Sequence, residues 1–311
     1  MSTHLFDIYK LILDKILELF PEKKANAIYH YTTKEVFCEL LKPNKDLYCT
    51  YCADLSDTTE VSIGMRTVWT IWMELCNDER SEIVRPIEYL CRMSGDSDSN
   101  LFPWTMSFST ERDDTRQWRL YTDPLVGGYS IGFSWDEMHA ILSSEGGLVH
   151  GDKAFVSLFP CLYKGVDDYE RIKVLVKFTL EEVVKEMKHF VLKRGEEDDR
   201  ENIARTILFS LLASIIKHKD FKDEREWRLI VHPMDIKAVG GHIDIVGGKL
   251  RIRSGLFGNK NPIRKCLSEI VVSPHGRQDS LFDMAKIIIA ARKQECDQIK
   301  VVPSESPYRG A

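Results

Sequence analysis

Residues 104–133 read WTMSFSTERDDTRQWRLYTDPLVGGYSIGF, and this stretch decides the fold class. Trp104 to Ser109 alternates, placing Trp104, Met106 and Phe108 on one face of a strand. Asp113 to Tyr121 reads as a short helix with acids at its positive N-terminal end. Gly127-Gly128 then turns the chain into a second strand, Tyr129 to Phe133. The pattern is a sheet with helical insertions.

The flanking sequence extends that pattern. Residues 5–20, LFDIYKLILDKILELF, carry Leu5, Ile8, Ile12, Leu13, Ile16, Leu19 and Phe20 at helical spacing and stop at Pro21. This amphipathic helix is expected to pack on the body of the protein; the alternative is a docking face for a partner. Ala27 to Tyr31 is a strand, and Thr32 with Glu35 has capping-box spacing for a helix ending before Pro43. Residues 46–53 read as a strand and residues 56–92 as a helix. Residues 95–100, GDSDSN, form a polar loop. Ser134 and Glu137 form a second capping box, opening a helix to Leu142. Strands are expected at 154–163, 173–178, 227–231, 243–245, 250–252, 269–272 and 299–302. Helices are expected at 180–193, 199–217 and 279–294. Strands and helices mix without strict βαβ alternation, so the fold class is α+β. Residues 1–24 are assigned to the N-terminal helix and 25–311 to a single domain.

Composition limits the functional classes. The chain has 311 residues, 43% hydrophobic and 29% charged, an ordinary globular balance. Its formal charge is −5, so any nucleic-acid contact must come from a local basic rim. Lys217, Lys219, Lys222, Arg251, Arg253, Lys260, Arg264 and Lys265 are candidates for such a rim. No apolar run approaches the roughly 20 residues that span a bilayer. Met1-Ser2-Thr3-His4 lacks a basic n-region, and the reading is cytoplasmic. The eight cysteines are scattered, as reduced thiols are. Cys49 and Cys52 form the one CxxC, and no second ligand pair makes it a zinc site, so two buried thiols and no metal are expected.

No P-loop, GxGxxG, HExxH or GxSxG motif occurs. Three patches remain. Tyr29-His30-Tyr31-Thr32 places a histidine in an early strand; a core histidine bonded to a backbone carbonyl is the plain alternative. Ser107-Phe108-Ser109, Gln117-Trp118-Arg119-Leu120-Tyr121 and Gly128-Tyr129-Ser130-Ile131-Gly132-Phe133 supply serines and aromatic rings. Trp118 and Tyr121 are three apart on a helix, in either a core or an aromatic-lined cleft. In Asp223-Glu224-Arg225-Glu226-Trp227-Arg228, strand alternation puts Glu224, Glu226 and Arg228 on one face. That face is either a solvated salt-bridged edge or a carboxylate held near a charge-developing centre.

In this order the patches resemble a bacterial family catalogued as domain of unknown function 2971. Its pattern is Y-[HK]-Y-T, an acidic N-D-x-x-E element, a serine-rich strand, W-x-x-Y, G-x-x-I-G-F and E-x-E-[WY]-R. The matches are Tyr29 to Thr32, Ser107 to Ser109, Trp118 with Tyr121, Gly128 to Phe133 and Glu224 to Arg228. In Ser56-Asp57-Thr58-Thr59-Glu60, Ser56 stands where the family has asparagine. The resemblance runs from about residue 28 to 275.

A looser resemblance connects the chain to the ADP-ribosyltransferase superfamily, its DNA- and RNA-modifying toxin members above all. It implies a split mixed β-sheet and NAD as substrate. It implies His30 on the NAD ribose, Glu226 as the catalytic carboxylate and Glu224 completing an E-x-E pair. Tyr121, Trp118 or Tyr129 would stack on nicotinamide. Tyr31, Thr32, Ser107, Ser109 and Arg228 would line the NAD site. Breaking the nicotinamide–ribose bond builds positive charge on the sugar, which a fixed carboxylate stabilises. The expectation is an ADP-ribosyltransferase acting on a macromolecule, RNA or DNA ahead of protein. The setting implied is a bacterial toxin or phage-defence effector with an antitoxin or inhibitor protein as partner. The rivals are a non-catalytic nucleotide- or partner-binding module and an NAD glycohydrolase.

Overall fold

The computed structural model describes residues 3–40, 46–55, 59–75, 103–144, 148–149, 154–183, 207–233, 239–254, 266–291 and 299–308. The polar loop 95–100 and Lys260, Arg264 and Lys265 lie outside them, as do the second part of the 56–92 helix and residues 184–206.

The described strands are β1 (Ala27–Thr33), β2 (Tyr48–Tyr51), β3 (Trp104–Ser109), β4 (Gly128–Ser134), β5 (Leu148–Val149), β6 (Ala154–Pro160), β7 (Leu162–Lys164), β8 (Ile216–His218), β9 (Glu226–Pro233), β10 (Ile243–Val246), β11 (Lys249–Arg253), β12 (Leu267–Val272) and β13 (Lys300–Pro303). Eleven of them form one mostly antiparallel sheet in the order β10-β11-β2-β3-β1-β4-β12-β13, with β9, β6 and β5 branching from β3. The architecture is α+β. Gly247 and Gly248, both at positive φ, close the β10–β11 hairpin, a turn that other residues adopt at a cost.

The fork at β3 positions the site. One edge of β3 pairs β9 along its whole length, from Trp104 with Val231 to Ser109 with Glu226. The other edge is shared. β2 takes its start through Thr50 with Thr105 and Tyr51 with Trp104. β1 takes its end through the single pair Tyr29 with Ser109. Beyond that pair β1 leaves β3 and follows β4 over seven positions, Ala27 with Ser134 to Thr33 with Gly128. Two half-sheets therefore diverge with β1 and β3 as the walls of the gap.

The helices are α1 (Thr3–Leu19), α2 (Lys34–Leu40), α3 (Thr59–Leu75), α4 (Thr115–Tyr121), α5 (Trp135–Ser144), α6 (Val166–Lys177), α7 (residues 207–215) and α8 (Gln278–Ala291). The apolar stripe of α1 is buried through Ile8, Tyr9, Ile12, Leu13 and Ile16 against β6 and α6. Tyr9 lies 5.8 Å from the rings of Phe155 and Phe159. That stripe is spent on the protein's own core and is not offered to a partner. Each such buried side chain contributes about 1.5–3 kcal/mol.

Two local expectations change. The 173–178 strand is helical. Ile172, Leu175 and Val176 are buried while Val174 is exposed, a helical rather than alternating pattern. The first cap moves by one residue: β1 runs through Thr33, whose Oγ1 accepts the Val36 N–H at 3.5 Å. The second capping residue, Ser134, holds Glu137 N as expected, at 3.4 Å.

Candidate functional site

The fork holds a cleft of about 350 Å³, open mouth included, lined by Tyr29, His30, Tyr31, Ser107, Phe108, Ser109, Gln117, Tyr121, Glu224 and Glu226. Without the open mouth the space is about 50 Å³, narrower than the ~300–1,000 Å³ usual for small-molecule sites. Of the residues singled out in the sequence, His30, Tyr31, Ser107, Ser109, Tyr121, Glu224 and Glu226 meet here.

His30 bridges the split. Its Nδ1 lies 2.9 Å from the Ser107 carbonyl, in the gap where β1 and β3 no longer pair. A carbonyl only accepts, so Nδ1 carries the proton and Nε2 is left as an acceptor. Burial lowers the pKa of His30, against the Ser107 contact, and keeps the ring neutral.

The floor is an ionic cluster. Lys217 Nζ lies 2.8 Å from Glu60, 2.6 Å from Glu224 and 2.7 Å from Glu226. Arg228 Nε donates to Glu226 Oε1 at 2.9 Å, and its terminal nitrogens reach Glu60, Glu226 and the Ser214 carbonyl. Three carboxylates face two cations, so one negative charge is in surplus. Burial raises the Glu226 pKa, but Arg228 and Lys217 outweigh it and hold the carboxyl well below the usual range. Glu224 goes the other way: burial dominates over Lys217 and raises it. The cluster is desolvated, with Glu226 5% and Arg228 2% exposed, so the solvated-edge alternative does not hold.

Two members escaped the sequence reading. Lys217, placed in a basic rim, is 2% exposed at the centre of the cluster. Glu60, in the element that departs from the family pattern, is the third carboxylate. It reaches the cluster because Gly64, one turn later on α3, abuts Ala213 of α7. A Cβ on Gly64 would stand 1.9 Å from the Ala213 carbonyl oxygen. In the rest of the rim, Lys219 and Lys222 are exposed and Arg253 pairs with Asp244.

Arg225 makes the E-x-E geometry. Glu224 ends a 3-10 turn rather than belonging to β9, and Arg225 follows at φ 43°, ψ 47°, in the left-handed region. This bend brings Glu224 and Glu226 onto one ammonium. The expected result for Arg225→Gly is a stability within about 1 kcal/mol of wild type. Relief of about 1–2 kcal/mol of left-handed strain offsets the looser unfolded chain. Arg225→Val should cost more than about 2 kcal/mol, since a β-branched residue fits that region poorly. Urea unfolding of both variants checks the difference.

Four residues assigned to the NAD site do not line the cleft. Trp118 is fully buried, its Nε1 donates to Asp113 at 2.6 Å, and its ring meets Tyr31 edge-on at 4.7 Å. It is a core residue; Gln117 and Tyr121, four apart, share the cleft-facing side of α4 instead. Tyr129 stacks on Phe37 at 4.0 Å and donates to the Leu281 carbonyl, on another face of the sheet. Thr32 is buried opposite Tyr129 in the β1–β4 ladder. Arg228 acts through Glu226 and does not face the cleft. Tyr31 and Ser109 line it but are committed. Tyr31 Oη donates to the Glu111 carbonyl at 2.7 Å and accepts from Asp114 N at 2.9 Å. Ser109 Oγ donates to the Glu224 carbonyl at 2.7 Å. Tyr121 is the aromatic ring left at the mouth, half exposed. Burial and the Glu226 and Glu224 carboxylates push its hydroxyl pKa up. The CxxC thiols lie beside this region, both buried, and burial pushes Cys52 up to about 12.

Acid should weaken the fold in two stages. His30 has a lowered pKa, so the unfolded chain binds its proton first and stability falls once pH drops below about 6.5. Glu226 is also lowered: its contribution is present above about 4.3 and is lost as pH falls toward its folded value. Glu224, raised, partly offsets the second stage. Urea midpoints measured across pH should show both, and His30→Gln should remove only the upper one.

Residues 117–229 match the model of a family described as "Protein of unknown function (DUF2971)". That supports the first resemblance read from the sequence. No curated protein and no solved structure matches the chain. Among the described residues no helix is long and apolar enough to cross a membrane.

Proposed function

We propose that the protein is an ADP-ribosyltransferase that cleaves NAD at the fork of its sheet and transfers ADP-ribose to a macromolecule, suited to a toxin or phage-defence role. The observation that carries this reading is the meeting of His30, Tyr121, Glu224 and Glu226 in one cleft. NAD supplies a leaving nicotinamide and an electrophilic sugar carbon. Every other task falls to the chain.

Tyr121 offers a ring face for nicotinamide to stack on. His30, neutral and with Nε2 as acceptor, takes a ribose hydroxyl. Glu226 is held ionised and immobile by Arg228 and Lys217. Of its roughly four lone-pair positions, three are taken by donors. The remaining one accepts a second sugar hydroxyl, and the fixed charge stabilises the cation developing on the sugar. Glu224, with its raised pKa, is placed to take a proton from the acceptor. For the acceptor we favour nucleic acid. Lys219, Lys222 and Arg225 lie exposed beside Glu224 and give a phosphate backbone local, salt-sensitive footing on an acidic chain.

The test is incubation with labelled NAD and separate RNA, DNA and protein acceptors. Label transfer supports the proposal and identifies the acceptor. Nicotinamide release without transfer supports the glycohydrolase, and no NAD consumption by the folded protein leaves a non-catalytic binding module.

A further inference from the structure

We infer that Gln117 is the specificity-determining residue of the cleft and pairs its side-chain amide with a ligand carboxamide, so that the site accepts a pyridinium carboxamide and rejects the corresponding carboxylate. The inference rests on the NAD reading and deepens it.

Gln117 is 6% exposed and lines the cleft. Its backbone N–H is used, donating to the α4 N-cap Asp114 at 3.2 Å. Its side-chain amide is different: among the described residues neither the oxygen nor the nitrogen has a hydrogen-bond partner. Several other polar groups at the cleft are committed, with Ser109 on Glu224, Tyr31 on Glu111 and Asp114, and His30 Nδ1 on Ser107, while His30 Nε2 stays open as an acceptor. Neither amide atom is sealed off from the cleft, so both are open to a ligand there. Such a group needs a ligand that both donates and accepts at one edge.

Position narrows the ligand. Gln117 and Tyr121 are four residues apart on α4, one above the other along about 6 Å of helix. A flat ring resting on Tyr121 therefore carries its substituent toward Gln117. A carboxamide and the edges of the neutral nucleobases, adenine among them, both donate and accept in this way. The cluster decides between them, because its surplus negative charge favours a cationic ring over a neutral one. It also disfavours a carboxylate, which would lie near Glu224 and Glu226 and leave the Gln117 oxygen unpaired.

The test is calorimetric binding of 1-methylnicotinamide, 1-methylnicotinate and adenosine to the full chain, with NAD cleavage measured in parallel. Wild type should prefer 1-methylnicotinamide to 1-methylnicotinate by about 100-fold or more, in the range reached by sites built to hydrogen-bond their substrate. Gln117→Leu, of similar volume, should narrow that preference to below about fivefold, chiefly through lost 1-methylnicotinamide affinity. Gln117→Glu should regain 1-methylnicotinamide binding as pH falls, because a protonated carboxyl again donates and accepts. That recovery is not expected of a purely structural residue. A wild type that binds neither fragment, binds both equally or prefers adenosine overturns the inference. So does an unchanged preference in Gln117→Leu. If NAD is still cleaved in those cases, the proposed function survives without it.

Discussion

Lys217→Met is expected to destabilise the fold by about 3–5 kcal/mol, the range for removing one partner of a buried ion pair. The side chain is 3% exposed and has three carboxylates within 2.8 Å. Methionine keeps most of the volume, so the loss is electrostatic. Glu60, Glu224 and Glu226 would face Arg228 alone, and the surplus negative charge would double. The melting temperature should fall on the order of 10 °C. Adding Glu224→Gln removes one of the competing carboxylates and should recover part of the loss. A double variant no more stable than Lys217→Met, or a single loss under about 1 kcal/mol, would contradict the electrostatic account.

Under the proposed function, NAD cleavage by Glu226→Gln should fall by about 100- to 1,000-fold, the scale for removing one preorganised charge-stabilising group. The substitution also leaves Arg228 and Lys217 with a weaker partner, so the melting temperature must be measured beside the rate. Glu224→Gln separates chemistry from stability. It leaves two carboxylates for two cations, and the fold should hold. Nicotinamide release should continue while transfer to the acceptor falls, because the acceptor's base is gone and the sugar-stabilising carboxylate is not. Equal loss of both activities in Glu224→Gln would assign the two glutamates a single shared role.

The parts of the site legible in the sequence are those whose geometry is local. His30 comes from the resemblance rather than from strand alternation, since Tyr29 and Tyr31 line the cleft beside it, and Glu226 from the resemblance together with its place at the head of an apolar strand. The sheet strands around them follow from period-two patterns. Lys217 reads as a surface residue because Lys219 and Lys222 follow it, and only the pairing of β8 with β7 and its packing on α3 bury it. Glu60 was obscured because its role depends on Gly64 letting α3 approach α7, a contact between segments about 150 residues apart. Trp118 reads as a stacking candidate beside Tyr121 and Tyr129 because an indole offers a flat ring, and nothing local singles out Gln117. The tertiary fold rotated α4 so that the amide, not the indole, faces the cleft. Residues 173–178 read as a strand because Val174 and Val176 are β-branched, and helical packing overrode that preference.

The fork also sets a timetable for synthesis. Ser109 of β3 waits for Glu226, its partner on β9, which is made 117 residues later. At the usual ~5–20 residues per second the ribosome needs roughly 6–25 s to cover that distance. During that time β3 has no full-length neighbour, and the sheet edge that will become a cleft wall is open to strangers. Glu224, Glu226 and Arg228 emerge together at the end of the wait. Under the proposed function, a nascent chain lacks the charges of the cleft until the strand that closes the sheet delivers them.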